Sequence, residues 1–324
     1  MDRLVSVIMS VYNERFEWLE KCVHSILNQT HNHLEFIIVL DDPDNHVLKT
    51  GLQCIAREDE RIKLIENEKN LGSAASANVA LKSAKGYYIA KMDADDVPVR
   101  NRLEIQKQYL ERNNLDFVFS GMAVINEEGK HLYFTDLEEL DHERTKQILE
   151  IASIANHPTW FLKKSVLDSM GGYREIDYCE DYDVVLRAMK KGYRIGKMPG
   201  HVVAYRMREN SISRTYGLKQ FLYAKSILEA YHKGSLFNDE IIPQIMQLGS
   251  IEGTQIEAKK FAKAEQLYNQ GIINLKNKRK VWGSIQLIKS LGRSKYFRQK
   301  FSKLIQYKKQ KGRFRLFFEN KREP

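Results

Sequence analysis

The chain has 324 residues, of which 43% are hydrophobic and 29% charged, a composition that excludes wholesale disorder and fits either two domains or one large domain with an appendage. Its net charge of +10 is uneven, because residues 276–324 hold 17 Lys and Arg against 2 Glu and the preceding residues are slightly acidic. Three widely spaced cysteines, Cys22, Cys54 and Cys179, exclude a disulfide framework or a zinc site and predict a reduced, cytoplasmic protein.

Apolar runs alternate with amphipathic stretches over the first hundred residues. The predicted strands cover residues 4–10, 36–40, 62–65 and 87–92, and the predicted helices cover residues 16–27, 45–56 and 73–84. Near-continuous apolar strands that are separated by helices indicate an α/β fold with a mostly parallel sheet flanked by helices.

The pattern becomes less regular and then helical towards the C-terminus. A helix over 101–112 and a strand over 117–125 precede an irregular stretch, and a further helix is predicted over 181–191. From residue 216 Gly and Pro become rare and helical patterns dominate. We therefore predict a catalytic domain over 1–215 and a helical, basic C-terminal region over 216–324.

Polar side chains collect where three of the predicted strands end. They are Tyr12, Asn13 and Glu14 after the first strand, Asp41 and Asp42 after the second, and Asp93, Asp95 and Asp96 after the fourth. Ligands of parallel sheets bind beyond the carboxyl ends of the strands. This clustering therefore predicts a ligand site at that edge of the sheet.

The Asp-Ala-Asp-Asp segment has the chemistry of a metal and phosphate site. If the chain stays extended, Asp93 and Asp95 point to the same side, so that one reaches a ribose while the other holds Mn²⁺ or Mg²⁺. Such an ion neutralises the charge that a nucleoside diphosphate gains as it leaves. The alternative is a solvated acidic turn ahead of the helix at Asn101, whose N-terminus attracts acids anyway.

The second acidic pair also has two interpretations. Asp41 and Asp42 follow a buried strand, where their carboxylates can accept hydrogen bonds from a base or a ribose. The same residues belong to the segment Asp41–Asn45, whose composition is typical of a turn. Glu14 can likewise either bind the donor or cap the helix that comes after it.

The complete set of motifs resembles glycosyltransferase family two, of the GT-A fold, over about residues 4–215. The segments that carry the resemblance are Val5–Glu14, Ile37–Asp42, Asn70–Gly72, Ala90–Asp96, Gly171–Arg174 and Glu180–Asp183. The resemblance implies an inverting enzyme that uses a nucleotide-diphosphate sugar, most commonly a UDP-sugar, together with Mn²⁺ or Mg²⁺.

The resemblance also implies roles for individual residues. Tyr12, Glu14 and Asp41 would line the nucleoside pocket, Asp93 would face the ribose or the phosphate, Asp95 would bind the metal, and Asp181 would be the catalytic base. We assign Asp42, beside Asp41, to donor binding as well. A carboxylate among other acids in a closed pocket has a raised pKa, which makes it a better base for an acceptor hydroxyl. The alternative for Asp181 is a helix cap ahead of Val184, and both roles can coexist.

The sequence departs from the family pattern at three positions. Pro43 and Asp44 stand where many relatives have Gly-Ser, and Ala77 stands where many have Arg. Arg208 occupies the place of a His that serves others as a late metal or diphosphate ligand. Arg208 cannot bind a cation but can pair with phosphate oxygens, so we assign it to the donor.

The segment His157–Trp160 matches a family segment near the acceptor. We assign His157, Trp160 and Glu180 to acceptor binding, with the Trp160 ring as an apolar face for a sugar. Packing of Trp160 in the core is an equally good interpretation of that residue.

Basic and apolar residues interleave between Val281 and Phe318. Basic amphipathic helices with aromatic residues fit the surface of an anionic membrane, which suits an enzyme with a lipid-linked acceptor. A solvated helical bundle with a basic outer face is the alternative, and nucleic acid is disfavoured because the body of the chain is acidic. We predict a cytoplasmic enzyme, peripheral on the inner face of the cell membrane.

Three other function classes compete with a glycosyltransferase of surface-polysaccharide synthesis. A sugar nucleotidyltransferase would have a basic, glycine-rich phosphate loop early in the chain, and residues 10–16 contain none. A non-catalytic nucleotide-sugar binder would not need Asp181. A dehydrogenase is disfavoured because no Gly-x-Gly-x-x-Gly follows the first strand.

Overall fold

The computed structural model describes residues 3–208, 215–252, 255–276 and 278–312. The chain divides into two compact units. The first comprises Met1–Lys146 and Ile154–Glu209, and the second comprises Gln147–Ser153 and Asn210–Pro324. The boundary near residue 215 stays a prediction, since residues 209–214 lie outside the described ranges.

The first unit is built on one sheet with helices between its strands. The strands are β1 (Val5–Val11), β2 (Leu34–Leu40), β3 (Ile62–Glu66), β4 (Tyr88–Asp93), β5 (Val97–Pro98), β6 (Phe117–Ile125), β7 (His131–Phe134), β8 (Phe161–Lys163) and β9 (Ile195–Arg206). The helices are α1 (Phe16–Leu27), α2 (His46–Glu58), α3 (Ser73–Ser83), α4 (Arg102–Arg112), α5 (His142–Leu149, which continues past Lys146), α6 (Lys164–Asp168) and α7 (Glu180–Lys190). A 3₁₀ turn covers His157–Thr159.

The strands of the sheet lie in the order β3-β2-β1-β4-β8-β6-β9-β5, and β7 pairs with β6. Strands β3, β2, β1 and β4 are all parallel, as are β6 and β9. Strand β8 runs antiparallel to both β4 and β6. Strand β5 pairs antiparallel with β9, and β7 pairs antiparallel with β6. The predicted α/β class is thus confirmed, with a sheet that is parallel from β3 to β4 and mixed beyond β4.

Burial explains why the first half of the sequence folds in this way. Strand β1 is buried on both faces apart from Ser10, as expected of a parallel strand covered by helices. Helix α1 buries Leu19, Cys22, Val23 and Ile26, which recur at the spacing of one helical face. Helix α3 packs small alanine side chains against β1 and β2, which lets its N-terminus approach the strand ends closely.

Strand β9 is the longest strand, and the sequence pattern did not predict it. Its twelve residues contain Pro199 and Gly200, which ordinarily interrupt a strand. The structure accommodates them at register shifts between Phe119 and Gly121 of β6 and at the next step of the ladder. The strand then continues to Arg206, so that Arg208 lies two residues after its end.

The second unit is helical. Its helices are α8 (Gly217–Lys233), α9 (Ile241–Glu252), α10 (Gln255–Lys276), α11 (Lys280–Arg293) and α12 (Lys295–Gln310). Aromatic rings form part of its core, since Phe297 of α12 lies 6.2 Å from Phe261 and 5.7 Å from Tyr268 of α10 between ring centroids. The predicted helical character of the C-terminal part is confirmed.

The interleaved basic stretch divides between core and surface. Tyr296 and Phe297 of α12 are buried, so this part of the predicted amphipathic face packs inside the unit. The apolar residues of α11 are mostly exposed. Residues 313–318 of the stretch lie outside the described ranges. Within the described helices, none is both long and apolar enough to span a bilayer.

Candidate active site

Three strand ends lie side by side at one edge of the sheet. Val11 at the end of β1 is opposite Leu40 of β2, and Ser10 is opposite Asp93 of β4. The segments at and after these ends are Tyr12–Glu14, Asp41–Asp42 and Asp93–Asp96. The strand order changes direction between β1 and β4, which is where open α/β sheets bind their ligands.

The Asp41 carboxylate organises the loop that leads into α3. Its Oδ1 accepts hydrogen bonds from the Asn67 amide (2.7 Å) and the Leu71 backbone N–H (2.8 Å), and its Oδ2 accepts one from the Gly72 N–H (2.9 Å). Gly72 adopts a φ of 85°, which favours glycine. Asp41 is buried and Asp42 beside it is partly exposed. Binding of a base or ribose by this pair stays a prediction.

A buried lysine on β4 pairs with Asp93, the first acid of the Asp-Ala-Asp-Asp segment, and lowers its pKa. Lys91 is buried, and its Nζ lies 2.7 Å from Asp93 Oδ1 and donates to the Met92 carbonyl. Burial by itself raises the pKa of the Asp93 carboxyl, but the Lys91 charge holds it below the ordinary value. Asp93 is therefore ionised at neutral pH and held by a neighbour that sequence reasoning missed.

The signal for Lys91 was present in the sequence. A lysine inside a short apolar strand is rarely buried without a partner, and strand alternation places residue 91 on the same side as residue 93.

Arg208 pairs with acidic side chains at the ends of β1 and β4. Its Nε lies 2.8 Å from Asp95 Oδ2, and its Nη2 lies 4.0 Å from Glu14 Oε1. Glu14 also accepts a hydrogen bond from the Tyr12 N–H (2.8 Å). Burial, with repulsion from Asp93 and Glu14, raises the pKa of Asp95 to about 6 although the Arg208 charge opposes it. Burial also raises the pKa of Glu14.

Asp95 fits a divalent ion that takes most of its other ligands from phosphate oxygens and water. Within the described ranges, no group of three or more His, Cys, Asp or Glu side chains is arranged to hold a metal. Asp95 still provides the hard oxygen that Mn²⁺ and Mg²⁺ prefer, and Mg²⁺ commonly uses one or two carboxylates together with phosphate oxygens and water. Asp95 is therefore a candidate single attachment point, and Arg208 shares its carboxylate.

The predicted base lies in the first turn of α7. Asp181 is partly exposed, and its Oδ1 accepts a hydrogen bond from the Tyr182 N–H (2.6 Å). Loss of water around the carboxyl and the neighbouring Glu180 charge together raise the pKa of Asp181 to about 7. Burial also raises the pKa of Glu180, although the Ser73 hydroxyl hydrogen-bonds to it. Asp181 thus has the pKa of an efficient base at neutral pH.

Asp93 connects the two acidic groups. Its charge raises the pKa of Asp95 on one side and contributes to the raised pKa of Glu180 and Asp181 on the other. Such an influence weakens with distance, so both groups lie within reach of the Asp93 charge. That Asp95 and Asp181 serve one site stays a prediction.

A third acid of the same helical turn has a structural role. Asp183 is fully buried between two arginines, pairing with Arg174 and, at 2.7 Å, with Arg187 Nε. Arg187 also donates to the carbonyl oxygens of Met170 (3.0 Å) and Gly172 (2.8 Å). This network joins the start of α7 to the preceding Gly-Gly-Tyr-Arg loop and so fixes the place of Asp181.

The same loop is joined to α3 through Asn78. The Asn78 amide accepts from the Tyr173 N–H and donates to the Tyr173 carbonyl, both at 2.8 Å. A Cβ at Gly172 would lie 2.3 Å from Asn78 Oδ1, so no larger residue fits there without displacement. The asparagine after Ala77 is therefore a structural residue.

The structure corrects the interpretation of Trp160. Its ring is fully buried, its Nε1 donates to the Ala155 carbonyl (3.1 Å), and it packs edge-on against Phe117. It offers no exposed face to a sugar because it lies in the interior, between the 3₁₀ turn and β8.

His157 lies beside Trp160 and closer to the site. Its Nε2 is 3.0 Å from the Tyr173 hydroxyl, which is a second residue that sequence reasoning missed. Burial, followed by the Lys91 charge, lowers the pKa of His157 to about 3, so the ring is neutral. Acceptor binding by His157 and Glu180 stays a prediction.

Comparisons with known proteins show the family of the chain. The family model described as "Glycosyl transferase family 2" matches residues 6–171. Over 237 residues the chain is 31% identical to the O-antigen biosynthesis glycosyltransferase WbnJ of Escherichia coli, an alignment that covers 69% of this chain and 91% of WbnJ.

Two solved structures have the same GT-A fold at low sequence identity. S. aureus TarS 1–349, in complex with UDP-GlcNAc, matches with a TM-score of 0.56 and 17% identity over 81% of this chain and 80% of that one. The mannosyltransferase PcManGT from Pyrobaculum calidifontis, in complex with GDP-Man and Mn²⁺, matches with a TM-score of 0.58 and 17% identity over 95% of this chain and 87% of that one.

Proposed function

Because this chain belongs to glycosyl transferase family 2, we propose that it transfers a sugar from a UDP-sugar to a hydroxyl group of a lipid-linked saccharide, with inversion at the anomeric carbon. The observation that carries the proposal is the Asp181 carboxyl, whose pKa of about 7 suits proton removal from a hydroxyl at neutral pH. The similarity to WbnJ, an enzyme of O-antigen biosynthesis, supports a product that belongs to a surface polysaccharide.

The donor lies across the ends of β1, β2 and β4 in this proposal. The exposed ring of Tyr12 is available to stack on the base, and Asp41 and Asp42 lie at the adjoining strand end. Asp93, held ionised by Lys91, accepts hydrogen bonds from the ribose or the transferred sugar. The UDP-GlcNAc of TarS supports uridine as the base.

The diphosphate lies near Asp95 and Arg208. Asp95 would hold Mn²⁺ or Mg²⁺, which supplies positive charge to the departing diphosphate, and the Mn²⁺ of PcManGT supports this assignment. Arg208 binds phosphate oxygens through its remaining N–H groups, because a guanidinium presents several donors in a fixed fork.

The chemical step is a single displacement. Asp181 accepts the proton of the acceptor hydroxyl as the hydroxyl oxygen forms a bond to the anomeric carbon. The bond between that carbon and the diphosphate oxygen breaks on the opposite face, and the nucleoside diphosphate leaves with the electron pair. Attack from the face opposite the leaving group inverts the anomeric centre.

The reaction class is tested with a panel of UDP-, GDP- and dTDP-sugars. We expect release of the nucleoside diphosphate from one donor class, UDP first, and loss of release after chelation with recovery on addition of Mn²⁺ or Mg²⁺. The measurement is coupled detection of the diphosphate. Formation of pyrophosphate from a nucleoside triphosphate and a sugar phosphate would contradict the proposal and favour a nucleotidyltransferase.

Replacement of Arg208 by Gln is expected to raise the KM for the donor by about tenfold or more, because a charged hydrogen-bond donor to phosphate is lost. Arg208→Lys is expected to recover only part of the loss, since an ammonium group cannot replace the planar fork. The control is Arg15→Gln, which removes an exposed ion pair with Glu127. An unchanged KM in Arg208→Gln would remove this residue from the donor site.

Arg208→Gln has a second readout that needs no turnover. The substitution frees Asp95 and Glu14 from their cation, so Mn²⁺ binding measured calorimetrically without nucleotide is expected to tighten. Weaker or unchanged Mn²⁺ binding would argue against Asp95 as the attachment point.

The lipid-linked acceptor implies a place for the enzyme. We propose that it works in the cytoplasm as a peripheral protein on the inner face of the cell membrane, where anionic lipids attract basic segments. The excess of 17 Lys and Arg over 2 Glu between residues 276 and 324 supports this assignment.

A further inference from the structure

Helix α11 carries a line of apolar side chains that no other part of the described chain covers. Val281, Trp282 and Ile288 are exposed to 71%, 67% and 70%, and Ile285 to 38%. Residues 281, 285 and 288 recur at the spacing of one helical stripe, and Trp282 lies beside them. We call these four residues the α11 face. Scattered single exposed hydrophobic residues are normal, whereas four adjoining ones indicate an interaction surface.

The opposite side of α11 is fixed by its packing on α10. A Cβ on Gly283 would lie 2.9 Å from the Gly271 carbonyl oxygen and 2.7 Å from Leu275 Cγ, so the two helices meet closely at these glycines. Asn274 Nδ2 donates to Gln286 Oε1 (2.7 Å) across the same contact. Helix α11 therefore cannot turn its apolar stripe inward without breaking this contact.

Positive charge surrounds the α11 face. The basic residues of the helix and its flanks are Lys278, Arg279, Lys280, Lys289 and Arg293, and no Asp or Glu occurs between residues 278 and 294. Lys and Arg side chains can extend past an apolar surface and place their charges at its rim. An apolar stripe with a tryptophan, on a helix whose charged residues are all basic, matches the interface of an anionic bilayer.

A second copy of the chain fits this surface less well. A symmetric dimer through the α11 face would bring two basic rims against each other, and like charges across an interface are unfavourable. A lipid surface with negative headgroups satisfies both the apolar and the charged parts of the face.

We propose that the α11 face docks onto an anionic lipid surface, with Val281, Ile285 and Ile288 at the acyl boundary and Trp282 at the level of the headgroups. Helix α12, whose Tyr296 and Phe297 are buried, takes no part through those rings. The proposal deepens the function proposed above, on which it rests for the reason that a lipid-linked acceptor brings the enzyme to such a surface.

The test is co-sedimentation of the full chain with phosphatidylcholine vesicles that contain or lack phosphatidylglycerol. We expect binding to the anionic vesicles and a fall of about tenfold or more in the partition coefficient for Trp282→Ser/Ile288→Ser, since exposed side chains are replaced and the fold is kept. Val47→Ser, a similarly exposed apolar residue on α2, is the control and is expected to bind as the wild type.

The charged rim is tested separately. Lys278→Gln/Arg279→Gln/Lys289→Gln is expected to weaken binding to anionic vesicles by about fivefold for each charge removed. The matched control, Lys21→Gln/Lys82→Gln/Lys85→Gln, removes the same charge from exposed positions of the first unit and is expected to bind nearly as the wild type.

Tryptophan emission locates the contact. The blue shift on addition of anionic vesicles is expected to disappear in Trp282→Phe and to persist in Trp18→Phe. Equal binding to vesicles with and without phosphatidylglycerol, or wild-type binding by the Trp282→Ser/Ile288→Ser variant, would overturn the proposal. The proposal would also be overturned if the wild type were a dimer and the Trp282→Ser/Ile288→Ser variant were a monomer with unchanged vesicle binding. Release of nucleoside diphosphate in solution is measured for every variant, so that failure of the enzymatic proposal is recognised independently.

Discussion

Asp181→Asn is expected to lower the rate of sugar transfer by about 10²- to 10⁴-fold while the affinity for the donor stays close to that of the wild type. The asparagine keeps the size of the side chain but cannot accept the proton of the acceptor hydroxyl. Rates of transfer are measured at saturating donor, and donor affinity is measured separately by calorimetry without acceptor. Full transfer by the variant would remove Asp181 from its role as base.

Two neighbouring carboxylates provide controls of different kinds. Asp177→Asn changes an exposed residue of the preceding loop and is expected to leave the rate unchanged. Glu180→Gln removes a charge that raises the pKa of Asp181, so it is expected to move the pH dependence without abolishing transfer. A total loss of transfer in Glu180→Gln but not in Asp181→Asn would exchange the two assignments.

The pH dependence of transfer reflects the Asp181 pKa of about 7. Below that pH Asp181 is mostly protonated and cannot act as a base, so the rate is expected to rise with pH and to level off above it. Removal of the Glu180 charge lowers the pKa of Asp181, and the rising limb is therefore expected to shift to lower pH in Glu180→Gln.

The raised pKa of Asp181 also predicts that stability falls over the pH range in which the rate of transfer rises. The folded protein holds the Asp181 proton more tightly than the unfolded chain, whose pKa is near the ordinary 3.8. The contribution of this group to stability is therefore lost as the pH rises from about 3.8 to about 7 and stays constant above that range. Asp181→Asn is therefore expected to have a higher Tm than the wild type at pH 8 and a smaller advantage at pH 5. This outcome would also show that the lost activity is not due to unfolding.

The first half of the fold could be predicted because each element carries its own local signal. Strands β1 and β2 are continuous apolar runs, and α1 shows one buried face at helical spacing. Strand β8 has only three residues, and β9 contains Pro199 and Gly200, so both depend on pairing with β6 across long stretches of sequence. Such non-local pairing leaves no periodic pattern in a single sequence.

In the candidate site, too, features encoded by neighbouring residues could be predicted, and contacts between distant parts of the chain could not. The acids after β1, β2 and β4 could be predicted because an apolar run that ends in carboxylates is recognisable within a few residues of sequence. The contact of Arg208 with Asp95 could not, since it joins residues that are far apart in the sequence. The partner of Asp93 is different, because strand alternation places Lys91 on the same side and the signal was overlooked. The two interpretations of Trp160, acceptor binding and core packing, could not be separated, because an apolar ring beside a site and an apolar ring beneath it have the same sequence pattern; the structure shows the core packing.

Asp183 gives the largest expected effect on stability. We expect Asp183→Asn to lower the free energy of unfolding by about 3–5 kcal/mol, because the substitution leaves Arg187 and Arg174 without their shared buried anion. Unfolding in urea, followed by circular dichroism, measures the change. Asp177→Asn is again the matched control, and its exposed carboxyl should contribute little. A loss for Asp183→Asn as small as that of the control would mean that the network does not stabilise the fold.

Asp181 and Asp183 thus have different roles within one helical turn, proton transfer for Asp181 and stability for Asp183. Residues two apart on a helix do not face each other, so one acid points to the site while the other points into the protein. The helix N-terminus favours negative charge near both. Asp183 is neutralised by arginines and holds the Gly-Gly-Tyr-Arg loop, whereas Asp181 has none of these cations and keeps its raised pKa. In Asp183→Asn we therefore expect transfer to fall along with stability, and Arg174→Gln, which keeps the pair with Arg187, to lose less of both.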